Sequence, residues 1–308
     1  MSDHRDERPG MKYIAGGQFV MGSDRFYREE RPRRIERVSD FWIDRTPVTN
    51  REFHRFVLAT GYRTRAETAA VHRGTDGAHG PAAPGSWVFQ RPPPVSLDDP
   101  SRWWTYVPGA SWRHPGGPGS RIDGLDSHPV VHISFADAQA YAGWAGKALP
   151  TEAEWECAAR GGFDGREYAW GDEMAPDGAI LANYWIGAFP FQTLKAEGDY
   201  RTTPVGLFPP NGFGLYDMIG NVWEWTCDRF EQTARARRAR TCCTSSPRDI
   251  LQSDAVTGTP EADDRKVIKG GSYLCAESYC QRYRPAARHP QGAGDTAGHI
   301  GFRCVIRS

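Results

Sequence analysis

The 308-residue chain is long enough for one large domain or two ordinary ones, and its 39% hydrophobic content suffices for a sizeable core. The 38 basic and 38 acidic residues cancel, so net charge draws it to neither nucleic acid nor a membrane surface. No apolar run approaches a membrane-spanning length and the charged opening MSDHRDERPG has no signal-like apolar core, while seven cysteines without small-domain spacing predict a cytoplasmic chain of mostly free thiols.

Residues 14–23 (IAGGQFVMGS) alternate loosely around a Gly-Gly turn and predict a strand. Residues 31–37 predict a basic, solvated edge, and Phe41, Trp42 and Ile43 a buried strand. Thr49-Asn50-Arg51-Glu52 has the form of a capping box; Phe53, Phe56 and Val57 follow at helical spacing, and Gly61 ends the helix. Residues 69–100, rich in Gly, Pro and Ala, predict a long irregular excursion. Trp103, Trp104 and Trp112 then return the chain to the body, as packing or as groove walls. Residues 128–133 read as a short buried strand. Ser134 with Asp137, and Thr151 with Glu154, predict two more N-capped helices, the second stopped by Gly161 and Gly162. The rest is punctuated by Gly, Pro and Asn and predicts no further helix; residues 229–240, followed by Cys242 and Cys243, read as a basic solvated loop. The whole predicts an α+β chain, a single domain over 1–308 with low regular secondary structure.

Residues 270–280, GGSYLCAESYC, hold Cys275 and Cys280 five positions apart, with Ser272, Tyr273 and Tyr279 among them and Arg282, Arg284 and Arg288 following. At that spacing two side chains face opposite sides of a strand and lie about 140° apart on a helix. The sulfurs meet only if residues 276–279 bend. A redox disulfide, a zinc site lacking an evident second ligand pair, a two-thiolate Cu(I) site and two unrelated buried cysteines are all open on the residues alone.

Three blocks carry a resemblance: LPTEAEWECAARGG (149–162), FPPNGFGLYDMIGNVWEWTCD (208–228), and GGSYLCAESYCQRYRPAAR (270–288) followed by GFRC. With GGQFVMGS and HPVVHISFADAQAYAGWAGKALPTEAEWE they make most of the chain resemble the formylglycine-generating enzymes, the sulfatase-modifying oxidases. The first two blocks are shared with non-catalytic relatives; the cysteine pair marks the enzyme branch. The resemblance implies a C-type-lectin-like fold and Cu(I) bound between Cys275 and Cys280. It implies that a cysteine in an unfolded sulfatase polypeptide, within Cys-x-Pro-x-Arg, is oxidised to formylglycine by dioxygen with a thiol reductant. Ser272 and Tyr279 are candidates for steering the oxidant or moving protons, Trp223 for a wall of the dioxygen pocket, and Arg284 and Arg288 for facing the substrate or, equally, for internal ion pairs. Two structural calcium ions are implied, one at Asp217, Gly220, Val222 and Glu224, the other at Asn183, Tyr184, Glu197 and Asp199. Disulfide staples of relatives from oxidising compartments are absent, because their positions read Ala142 and Pro285, which predicts a free core thiol at Cys304. The alternative is a non-catalytic binding module of the same fold. An iron-dependent sulfoxide synthase is rejected, since that class needs a further helical domain bearing histidine ligands.

Overall fold

Each helix starts where a side chain answers the backbone groups that helix geometry leaves unpaired. The computed structural model describes residues 8–68, 70–73, 79–92, 103–196, 201–231 and 264–307. Helix α1 (Asn50–Thr60) opens with Thr49 Oγ1 accepting from the Glu52 amide and Glu52 Oε2 accepting from the Thr49 amide, and it closes on Gly61 at φ 68°. The same reciprocal box opens α2 (Phe135–Trp144) at Ser134 and Asp137, and α3 (Glu152–Arg160) at Thr151 and Glu154. Each cap is worth about 1 kcal/mol. At the end of α3, the Asn211 amide donates to the orphan carbonyls of Ala158 and Ala159 at 2.8 and 3.2 Å. A Cβ on Gly161 would stand 2.8 Å from the Gly212 amide, so the loop 211–212 seats against the helix only because that position is glycine.

Strand β1 (Met11–Ile14) and the hairpin β2 (Gly17–Met21) with β3 (Arg34–Val38) open the chain. Strand β4 (Phe41–Asp44) is flanked by β1 on one side and by the C-terminal β13 (Val305–Arg307) on the other, both antiparallel. The two ends of the chain thus share a sheet. A second sheet runs β11 (Arg288–Gly292), β10 (Arg265–Lys269), β9 (Trp223–Arg229), β12 (Ile300–Gly301), with β12 parallel to β9. One core gathers Phe53, Trp112, Tyr141, Trp225 and Phe302 around α1 and α2; another gathers Phe41, Ile43, Trp155, Met218 and Val305 between the first sheet and α3.

Buried charge ties these layers together. Lys269 on β10 lies 2.9 Å from Glu156 on α3, and Arg160 pairs with the same carboxylate at 2.6 Å. Arg303 forks onto Glu224 at 2.7 and 2.8 Å, and the Trp155 indole donates to Glu224 at 2.7 Å. All five charged groups are buried, and each has a charged partner, the condition under which buried charge is tolerated.

Two expectations are corrected. Residues 128–133 form no strand: Pro129 makes one isolated bridge with Thr49, and His132 turns left-handed at φ 62°. The segment is still held, by Val130 N–H to Val48 O and His132 N–H to Ala297 O, with Val130 to Ile133 buried. The excursion at 69–100 is less irregular than its composition implies. Strand β5 (Ala70–Arg73) pairs with β6 (His79–Ala82), and β7 (Gly85–Phe89) pairs with β8 (Trp104–Pro108) across the rest. Trp87, Val88 and Phe89 supply the β-favouring run that the surrounding Gly and Pro obscure. Residues 69, 74–78 and 93–100 lie outside the described residues, as do 232–240, Cys242 and Cys243.

Candidate active site

The cysteine segment leaves the end of β10 through Gly270 and Gly271, at φ 91° and 71°. A Cβ on Gly271 would sit 2.7 Å from the Arg282 carbonyl, so the turn places the segment against its own continuation. Ser272 starts a tight turn: the Leu274 amide donates to its Oγ at 3.3 Å, and the Cys275 amide to its carbonyl at 2.9 Å. The amides of Tyr279, Cys280 and Gln281 then all donate to the Ala276 carbonyl, at 3.2, 3.1 and 3.0 Å. This is the bend that the five-residue spacing demands. It brings both thiols to one cavity, close enough for each to shift the other's titration.

The thiols form no disulfide and differ in character. Burial pushes the Cys275 thiol well above its usual range, reinforced by the Cys280 sulfur. The Cys275 thiol beside it draws Cys280 down, against burial and with help from the backbone N–H of Arg282. Cys275 is thus the proton holder and Cys280 the sulfur closer to thiolate.

Both thiols line a cavity of about 750 Å³. Ser272, Tyr279 and Trp223 line it too, so five of the sequence candidates converge. Tyr279 is 52% exposed, stacked on Phe189 at 5.0 Å and edge-on to Trp103 at 5.2 Å, which makes it a wall of the mouth rather than core. Trp104 closes another side, its ring 4.5 Å from that of His299. Burial holds His289 at about 4 and His299 at about 3, so both cavity imidazoles are neutral.

Arg284 and Arg288 do not face this space. Arg284 is buried and forks onto Glu30 at 2.8 and 2.6 Å, and Arg288 pairs with Glu152 at 2.8 Å. Of the two readings of these arginines, facing the substrate or pairing internally, the structure shows the ion pairs. The arginine that does line the cavity is Arg282, together with Tyr27 and the two histidines. Arg282 stands two residues from Cys280, which is the only sequence signal among these. A second cavity, about 700 Å³, is backed by Tyr273 and Phe89 and contains neither cysteine.

A soft two-thiolate site fits the cysteine pair: both thiols line one cavity, and among the described residues no cluster of three or more His, Cys, Asp or Glu completes a four-ligand zinc set. The calcium candidates are mixed. Burial raises the Asp217 carboxyl, and neighbouring Glu224 raises it further, while the Gly206 amide and Arg303 oppose this. Such a carboxylate suits a cation, yet Glu224 is already held by Arg303 and Trp155. A Cβ on Gly220 would lie 2.5 Å from the Asn183 carbonyl, so the two candidate segments abut. The Asn183 side-chain oxygen accepts from the Lys195 ammonium at 2.6 Å, which directs it at positive charge. Tyr184 is buried against Tyr283, and Glu197 and Asp199 lie outside the described residues.

The family model described as "Sulfatase-modifying factor enzyme 1-like domain" matches residues 1–308. The chain is 49% identical over 296 residues to a protein of Mycobacterium tuberculosis named "Formylglycine-generating enzyme", covering 95% of this chain and 96% of the relative. It is 36% identical over 308 residues to a mouse protein named "Inactive C-alpha-formylglycine-generating enzyme 2", covering 96% of this chain and 85% of the relative. The solved structure of PvdO from Pseudomonas aeruginosa superposes with a TM-score of 0.58 at 24% identity, covering 97% of this chain and 98% of the other, and shares the fold. These matches, with the two thiols lining one cavity, place the chain in the formylglycine-generating enzyme (sulfatase-modifying factor) family.

Proposed function

We propose that the chain oxidises the cysteine of a Cys-x-Pro-x-Arg segment in an unfolded sulfatase polypeptide to formylglycine, with Cu(I) held by Cys275 and Cys280. The observation that carries this reading is the convergence of two unbridged thiols on one aromatic-walled cavity. When bound, Cu(I) supplies a soft centre for the substrate sulfur and for dioxygen activation. The overall reaction balances with one dioxygen, one substrate thiol and two reductant thiols. The products are the aldehyde, hydrogen sulfide, a disulfide and water. Dioxygen takes four electrons, two from the substrate and two from the reductant pair.

The residues of the chain do the rest. The bend at 276–280 fixes both sulfurs, so that a bimolecular oxidation becomes a local one. Trp103, Trp104 and Trp223 keep the space apolar. Tyr279, at the mouth, offers a face for the substrate proline. Ser272 is spent on its own turn, but its hydroxyl remains able to donate toward the cavity. Unbridged Cys157, Cys275, Cys280 and Cys304 support a reducing, cytoplasmic setting. Calcium at Asp217 and at Asn183 belongs to the same proposal as a structural element.

The test is turnover. Protein loaded with Cu(I) is incubated with a Cys-x-Pro-x-Arg peptide, dioxygen and a thiol reductant, and the peptide is weighed. The expected product has the mass of the aldehyde. Cys275→Ser and Cys280→Ser should each abolish tight Cu(I) binding and turnover. The 36% identity to a relative named as inactive favours a second reading, a non-catalytic binding module. Peptide binding without any aldehyde in the copper-loaded protein would establish that reading instead.

A further inference from the structure

The loop that carries Cys280 is held from the far end of the chain. The Tyr27 hydroxyl donates to the Cys280 carbonyl at 2.8 Å, across 253 residues of sequence. The Arg282 guanidinium lies 3.8 Å from the centre of the Tyr27 ring, pairs with Glu29 at 2.7 Å and donates to the Arg288 carbonyl at 2.6 Å. Arg284, two residues on, is locked to Glu30. Tyr27, Glu29 and Glu30 therefore meet residues 280, 282 and 284 in order. The 3₁₀ turn Arg28–Glu30 presents the two acids one after the other.

Cys275 is supported differently. Its amide and carbonyl are engaged by Ser272 and by the Trp185 amide, both at 2.9 Å. The second thiol thus hangs on a separate set of contacts. Between the two lies a bend followed by Gln281 at φ 44°, a conformation that a non-glycine residue keeps only when its neighbours hold it. A two-coordinate soft site depends on the spacing and direction of both sulfurs, and partners behind the ligands fix these.

The geometry points to Tyr27 and Glu29 as positioning residues that set where the Cys280 sulfur stands relative to Cys275, and through this the Cu(I) affinity of the pair. This inference rests on the copper reading above. Glu30 is the buried structural anchor of the same turn; Tyr27 and Glu29 act through Arg282 and the Cys280 carbonyl.

The experiment compares wild type, Tyr27→Phe, Glu29→Gln and the double variant by competition for Cu(I) against a Cu(I)-selective chelator, alongside melting of the copper-free proteins. Each single variant is expected to weaken Cu(I) binding about tenfold, the usual effect of removing a partner behind a metal ligand. The copper-free melting temperature of Tyr27→Phe should be unchanged. Because both residues act through one loop, the double variant should lose less than the product of the single losses. If Glu29→Gln destabilises the copper-free protein, Tyr27→Phe decides, since it deletes a single oxygen. Wild-type Cu(I) affinity in both variants would overturn the positioning role and leave the copper site standing. A wild type that binds no Cu(I) would overturn the copper reading, and this inference with it.

Discussion

Cys275 and Cys280 line one cavity from the two sides of a bend, and their different surroundings make two chemically alike residues unlike. Burial pushes the Cys275 thiol up, while the neighbouring Cys275 thiol draws that of Cys280 down. Cys280 is also the more accessible of the two. In reduced, copper-free protein at neutral pH, iodoacetamide should therefore label Cys280 first, since the thiolate is the nucleophile. Peptide mapping after brief labelling reads the order. Equal labelling of both, or Cys275 first, would contradict the assignment. In Cys275→Ser the rate at Cys280 should change, because the donor beside it is replaced.

The Lys269–Glu156 pair makes a stability prediction. Neither side chain is exposed, and Arg160 shares the carboxylate. Burial alone would raise the Glu156 carboxyl, but Lys269 and Arg160 outweigh it and hold the group at about 2. Lys269→Met should cost about 3–5 kcal/mol, the range for breaking a buried pair by removing one partner. By contrast, Arg51 and Asp126 stand 3.9 Å apart with both side chains mostly exposed. Arg51→Ala should stay within about 0.5 kcal/mol of wild type. Urea denaturation of the two variants distinguishes these outcomes, and comparable losses in both would refute the argument from burial.

What was legible in the sequence was mostly local. The caps at Thr49, Ser134 and Thr151 act over three residues, so the sequence window that encodes them also displays them. The bend between Cys275 and Cys280 could be stated as a condition, and the structure meets it. The choice among Arg282, Arg284 and Arg288 could not be read, because the alternation offers three arginines to the same space. The partners that orient them, Glu29 for Arg282, Glu30 for Arg284 and Glu152 for Arg288, are far away in sequence. Strand β7 was hidden for a similar reason. Its ladder partner β8 lies on the other side of a Gly/Pro-rich stretch. His289 and His299 are isolated in sequence, and only the fold gives them a shared cavity.

His132 predicts acid sensitivity. It is fully buried, with Nδ1 at 2.7 Å from Ser86 Oγ and Nε2 at 3.0 Å from the Pro115 carbonyl. Burial lowers it to about 4, against the opposing pull of the Pro115 carbonyl. A histidine depressed in the folded state binds its proton first in the unfolded state. Its contribution is intact above about 6.5 and is lost as pH falls toward about 4. The full effect is on the order of 3 kcal/mol. Chemical denaturation across that window should show stability falling with pH, and His132→Gln should flatten the slope by about one proton. An unchanged slope in the variant would assign the sensitivity to other groups.

The two proposed calcium sites, one at Asp217 and one at Asn183, lie on segments that abut at Gly220. Asp217 carries a carboxyl that burial and Glu224 both push up, so a cation beside it relieves a real penalty. Asn183 aims its side-chain oxygen at the Lys195 ammonium and donates its amide to Asn221 Oδ1 at 3.2 Å. Asn221 also receives the Thr203 amide, so one asparagine links both segments. If calcium binds here, the folded state gains about 2.7 kcal/mol at a free concentration a hundredfold above the dissociation constant. Chelation by EGTA should then lower the melting temperature by a few degrees, the shift expected for a chain of this size. Asp217→Asn should melt lower in calcium and respond less to EGTA. Metal analysis after exhaustive dialysis against calcium buffer counts the ions directly. A protein that retains no calcium and melts identically with and without EGTA would leave Lys195 and Arg303 as the cations these oxygens were arranged for.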